Sequence, residues 1–99
     1  MKKDKELLYK LIEGKLNRVY LHPDTLAEIG EVEYINLHAA GPVEAGQVVA
    51  NIEAEKAAIE IPIEKTGAIV KTNASVEAMP QILSLNKADE NWLFEFEEA

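Results

Sequence analysis

"QVVANIEAEKAAIEIPIE", residues 47–64, alternates apolar and polar side chains on both sides of a single lysine, Lys56. Alternation with period two is the signature of a half-buried strand. Val48, Ala50, Ile52 and Ala54 fall on one face of the first arm, and Ile59, Ile61 and Ile63 on one face of the second. Pro62 cannot donate to a ladder, so the second arm belongs at a sheet edge or a bulge. Gly46 lies ten residues before Lys56 and Gly67 eleven after it, so the arms are about equal in length and the lysine falls at the tip that joins them. "AEKAA" contains no glycine or asparagine, which favours a type I turn over the primed turns. The stretch predicts a two-stranded finger with one amine exposed at its end. Gly46 and Gly67 read as structural, permitting the turns that aim it.

The same alternation extends outward. "LLYKLIE" (7–13) and "NRVYLH" (17–22) read as a hairpin turning at Gly14. "HPDTLAEIG" (22–30) opens on Pro23 and Asp24 and stops at Gly30, the punctuation of a short helix. "EVEYINL" (31–37) alternates again, "HAAGPVEAG" (38–46) reads as a loop and "GAIVKTN" (67–73) as a strand. Residues 74–90 look irregular, broken at Pro80, with about one helical turn. "NWLFEF" (91–96) closes the pattern, with Trp92, Phe94 and Phe96 expected together on one face and Trp92 in the core. Short strands, close turns and little helix predict a mainly β fold, a small flattened barrel or barrel-sandwich hybrid with one or two short helices. Its 99 residues suffice for one domain, 1–99, with a filled interior and no enclosed pocket.

Composition narrows the chemistry. There is no cysteine, which excludes disulfides, thiolate metal sites and cysteine nucleophiles; redox chemistry would have to arrive with a cofactor. His22 and His38 lie far apart with no nucleophile pattern around them, so neither a metal site nor an enzyme is expected. The net charge of −8 repels nucleic acid and anionic lipid and favours basic protein partners. No apolar run approaches the ~20 residues of a membrane span. The lysine-led start, "MKKDKELLYK", lacks a signal-peptide apolar stretch, and a soluble cytoplasmic protein is expected.

Two readings of Lys56 follow from the residues alone. It is a solvated surface lysine balanced by Glu53 and Glu55, or an exposed amine placed for covalent modification.

"EAEKAAIEIPIEKTG" (53–67) resembles the attachment hairpin of lipoyl domains, with Glu53 three before the lysine, Glu55 just before it, Ala57 after it, and proline then glycine downstream. "NRVYLHPDTLAEIGEVEYINL" (17–37) and "NKADENWLFEF" (86–96) resemble the H protein of the glycine cleavage system, a likeness covering roughly residues 7–97. The resemblance implies a non-enzymatic carrier with lipoate amide-linked to Lys56, and with Glu53, Glu55 and Ala57 recognised by a lipoate-protein ligase. It also implies dihydrolipoamide dehydrogenase as a partner, with either glycine decarboxylase and aminomethyltransferase or, in a short H-like stress-response branch, sirtuin- and macrodomain-type ADP-ribosylation partners. Members of the cleavage system usually continue past the tryptophan strand into a further helix, whereas this sequence stops at Glu97, Glu98 and Ala99, which suits the short branch. An ADP-ribose acceptor in that branch would fall near Asp24, Ala27 and Glu28. Biotin carriers share the hairpin but usually flank the lysine with methionines, and here the flanking residues are Glu55 and Ala57. A non-lipoylated regulatory or interaction module is the alternative from a different class.

Overall fold

A computed structural model describes residues 6–99, and the lysine-led start at residues 1–5 lies outside the described residues. In chain order the elements are β1 (Leu7–Glu13), β2 (Leu16–Leu21), α1 (Pro23–Ile29), β3 (Val32–Leu37), β4 (Gly41–Val43), β5 (Val48–Ala54), β6 (Ala58–Pro62), β7 (Gly67–Thr72), α2 (Ala74–Ala78) and β8 (Trp92–Glu98). A 3-10 turn spans Pro80–Ser84 between α2 and β8. Two antiparallel sheets result, one ordered β1-β2-β8-β7-β4 and one ordered β3-β5-β6.

The inward faces follow from the alternation. Val19, Ile69, Phe94 and Phe96 from the larger sheet meet Ile35, Ile52 and Ile61 from the smaller, all with almost no exposure. Burying each such side chain is worth roughly 1.5–3 kcal/mol, and this shared core holds the sheets face to face. Pro62 lies in β6, an edge strand of the smaller sheet, where no ladder donor is required.

Four expectations are corrected. The stretch 38–46 is not all loop: Gly41–Val43 pairs with β7 as the last strand of its sheet, where Pro42 is tolerated. Val48 is exposed and Val49 buried, because the β5–β6 register shifts between Val48 and Ala50. Trp92 does not share a face with Phe94 and Phe96. In the β2–β8 ladder Val19 pairs with Phe94 but Tyr20 pairs with Trp92, so Leu93 is the extra residue of a bulge and turns inward. Trp92 thus lies on the outer face yet is buried, as expected of it, covered by the Arg18 guanidinium 4.8 Å from its ring centre, while Arg18 bonds Glu95 at 2.9 Å.

Gly67, the fourth, is structural for a different reason than a turn. A Cβ there would collide with the Glu97 carbonyl oxygen and stand 2.7 Å from Phe96 Cζ, so the position needs a residue without a side chain to let β8 approach.

At the end of the finger away from Lys56, the Tyr9 ring packs edge-on against Phe96 at 6.1 Å. Burial pushes its phenol up to about 12, opposed by the Glu64 backbone N–H, which donates to the phenol oxygen at 3.4 Å.

Candidate functional site

The finger is β5 and β6, paired from Val48↔Pro62 to Glu53↔Ala58, with Glu55 and Lys56 at the tip. No non-glycine residue among those described has positive φ, so the tip is not a type I′ or II′ turn. The Ala54 N–H donates to the Ala57 carbonyl at 2.8 Å and closes the loop.

Both tip residues turn their remaining backbone donors away from the hairpin. The Lys56 N–H donates to the Ile29 carbonyl at 2.8 Å, and the Glu55 N–H to the Glu31 carbonyl at 2.9 Å. Ile29 is the last residue of α1, and its carbonyl is one of those a helix end leaves without an internal partner. The helix itself is set by its ends: Pro23 opens it, His22 Nδ1 accepts from the Asp24 N–H at 3.0 Å, and Gly30 closes it by donating its N–H to the Leu26 carbonyl. The finger therefore does not stand free. Its tip is fastened to the turn between α1 and β3.

The four residues singled out in the sequence are brought together here with distinct roles. Lys56 is exposed, and among the described residues its ammonium forms no ion pair with Glu53 or Glu55. Glu53 is exposed opposite Tyr34 on the outward side of β5. Glu55 is exposed, and its Oε1 accepts from the Glu31 N–H at 3.4 Å. Ala57 is half-buried and packs against the core. Asp24, Ala27 and Glu28 are exposed on α1. His38 lies elsewhere, between Gln47 at 3.1 Å and the Ala39 carbonyl at 2.6 Å, and among the described residues no cluster could hold a metal ion. No helix among the described residues is long and apolar enough to cross a membrane.

The participants missed by the sequence reading are Ile29, Gly30 and Glu31, the turn that receives the tip. An apolar cleft of about 520 Å³ was also unforeseen. This cleft opens to the surface beside α1. Leu8 and Tyr20 on the larger sheet, Leu26 and Ala27 on α1, and Leu83 and Leu85 after the 3-10 turn line it.

A family model described as glycine cleavage H-protein matches residues 3–99. A glycine cleavage system H protein from Thermotoga maritima is 33% identical over 87 residues, covering 87% of this chain and 70% of that protein. A glycine cleavage system H-like protein from Staphylococcus aureus is 31% identical over 98 residues, covering 99% of this chain and 89% of that protein. The crystal structure of a glycine cleavage system H protein from Mycobacterium marinum superposes with a TM-score of 0.83 at 18% identity, over 95% of this chain and 79% of that one. At that identity the structural likeness is one of fold.

Proposed function

We propose that this chain, which belongs to the glycine cleavage H-protein family, is a single-domain carrier that holds lipoate in amide linkage on Lys56. The observation that carries this reading is an exposed amine, without an ion pair among the described residues, on a backbone fastened to α1. An acceptor lysine needs a free amine for the ligase and a fixed base from which the attached arm can swing. The residues fit the group: Lys56 projects from the tip, and Ala57 keeps the tip seated on the core.

When bound, the dithiolane supplies reversible disulfide chemistry that a chain without cysteine cannot provide. The protein's own part is presentation. Glu53, exposed on the outward side of β5, gives the finger an acidic charge that speeds encounter with a basic ligase surface. The apolar cleft runs along the helix that receives the Lys56 N–H, and offers an aliphatic arm a surface out of water. The family supports dihydrolipoamide dehydrogenase and the decarboxylase and aminomethyltransferase of glycine cleavage as partners; a lipoate-protein ligase that loads Lys56 and a cytoplasmic setting are part of the proposal.

The test is the intact mass of the protein after incubation with a lipoate ligase, ATP and lipoate, beside Lys56→Arg. A lipoyl-sized increment that disappears in the variant is expected. An unmodified wild-type chain, with a control acceptor modified in the same tube, would contradict the carrier reading and leave an interaction module. A biotin-sized increment from a biotin ligase would replace the cofactor.

A further inference from the structure

We propose that the Ile29-Gly30-Glu31 turn is a clamp that positions the acceptor lysine, and that Glu55 closes this clamp as a hydrogen-bond acceptor instead of serving a partner as a charge. The proposal rests on the reading of Lys56 as the attachment site, but its structural half stands without it.

Three hydrogen bonds join the tip and the turn, and they run in both directions. Lys56 N–H to Ile29 O and Glu55 N–H to Glu31 O, at 2.8 and 2.9 Å, pass from the finger to the turn. Glu31 N–H to Glu55 Oε1, at 3.4 Å, passes back. The donors of both tip residues are thereby taken by a single turn of a different element, where an ordinary hairpin tip would leave them to water.

Gly30 makes this geometry available. Its φ of 80° and ψ of −158° fall in a region that side-chain-bearing residues scarcely enter. A Cβ at this position would stand 2.8 Å from Glu55 Oε1 and 3.1 Å from Glu55 Cβ. Gly30 is thus the floor on which Glu55 lies. The φ alone strains any side chain at this position, and a Cβ would also press on Glu55, the residue next to the acceptor lysine.

The consequence is that the backbone of Lys56 is fixed while its side chain is free. Small misplacements of a reacting group are costly in a transfer reaction, so the clamp belongs to the presentation of the amine. Glu55 acts through Lys56 and is a positioning residue.

Two Glu55 variants separate acceptance from charge. Glu55→Gln keeps an Oε1 acceptor and loses the charge, and Glu55→Ala loses both. The first readout is amide hydrogen exchange at Glu55 and Lys56 in the unmodified chain, by NMR; the second is kcat/KM for lipoyl transfer by a lipoate ligase. Glu55→Ala is expected to speed exchange at these amides and to lower kcat/KM, each by about three- to tenfold, the size of one hydrogen bond. Glu55→Gln is expected to stay within about twofold of wild type in both readouts, with the thermal midpoint unchanged in either variant. Gly30→Ala should reproduce the faster exchange while Glu55 is intact. A Glu55→Gln variant as slow in transfer as Glu55→Ala would overturn the proposal in favour of charge recognition. Unaltered exchange in Glu55→Ala, or altered exchange with unaltered transfer, would overturn it too. A wild-type chain that accepts no lipoyl group would defeat the carrier reading alone, and the exchange measurement would still decide the clamp.

Discussion

Two hairpins in this protein end in an exposed lysine, and their tips are built differently. Lys15 follows Gly14 in the turn between β1 and β2, where Gly14 supplies a φ of 56° and faces open space. That tip takes its shape from its own glycine, with two long contacts on the Lys15 carbonyl, from the Glu98 N–H and from Asn17 Nδ2, each at 3.3 Å. Lys56 sits on a tip with no positive φ, shaped by two short hydrogen bonds to the α1–β3 turn and by Ala57 on the core. What distinguishes Lys56 is that its own backbone N–H and that of Glu55 are both taken by the α1–β3 turn.

The comparison is most sensitive at the glycines. Gly30→Ala meets a forbidden conformation and the Glu55 side chain together and should cost about 2–3 kcal/mol. Gly14→Ala meets only the left-handed region, at about 1 kcal/mol. Chemical denaturation of both variants checks this, and equal losses would break the distinction. Ala57→Leu overpacks the half-buried site under the tip and should cost about 1–2 kcal/mol, read from the same titration; a neutral result would mean that the tip lifts freely.

Smaller effects separate charge from structure. Glu53→Gln should leave the thermal midpoint in place and slow ligase transfer by about two- to fivefold, the worth of one exposed charge contact. A wild-type rate would remove Glu53 from the encounter. At the other end of the finger, the Tyr9 phenol is raised by burial from 10.0 to about 12. The folded state therefore holds a proton that the unfolded chain releases first, so stability should be intact below pH 10 and fall as pH rises towards 12. Tyr9→Phe should flatten that part of the curve, and an unchanged slope in thermal melts across this window would contradict the assignment.

Much of this architecture is legible in the sequence because it is local. Alternation around Lys56 marks the finger, and Pro23 with Gly30 brackets α1. What escapes is set by single-residue insertions or by distant partners. The extra residue at Leu93 puts Trp92 on the outer face, and the shift beside Val49 exchanges it with Val48; neither alters the composition of its strand. Gly67 announces a glycine requirement but not its cause, which lies on β8. The clamp joins Glu31 to Glu55 across 24 positions, and no periodicity spans that distance. Glycine at position 30 was the available sign, legible as a helix stop but not as the bed of the fingertip.

The central claim is that the fastened tip, and not exposure alone, selects the acceptor. It is tested most directly by fragmentation mass spectrometry of the wild-type chain after treatment with a lipoate ligase, reading occupancy at Lys15 and Lys56 in one sample. Near-complete lipoylation at Lys56 and none at Lys15 is expected. Comparable occupancy at both tips, or modification at Lys15 in preference, would contradict it.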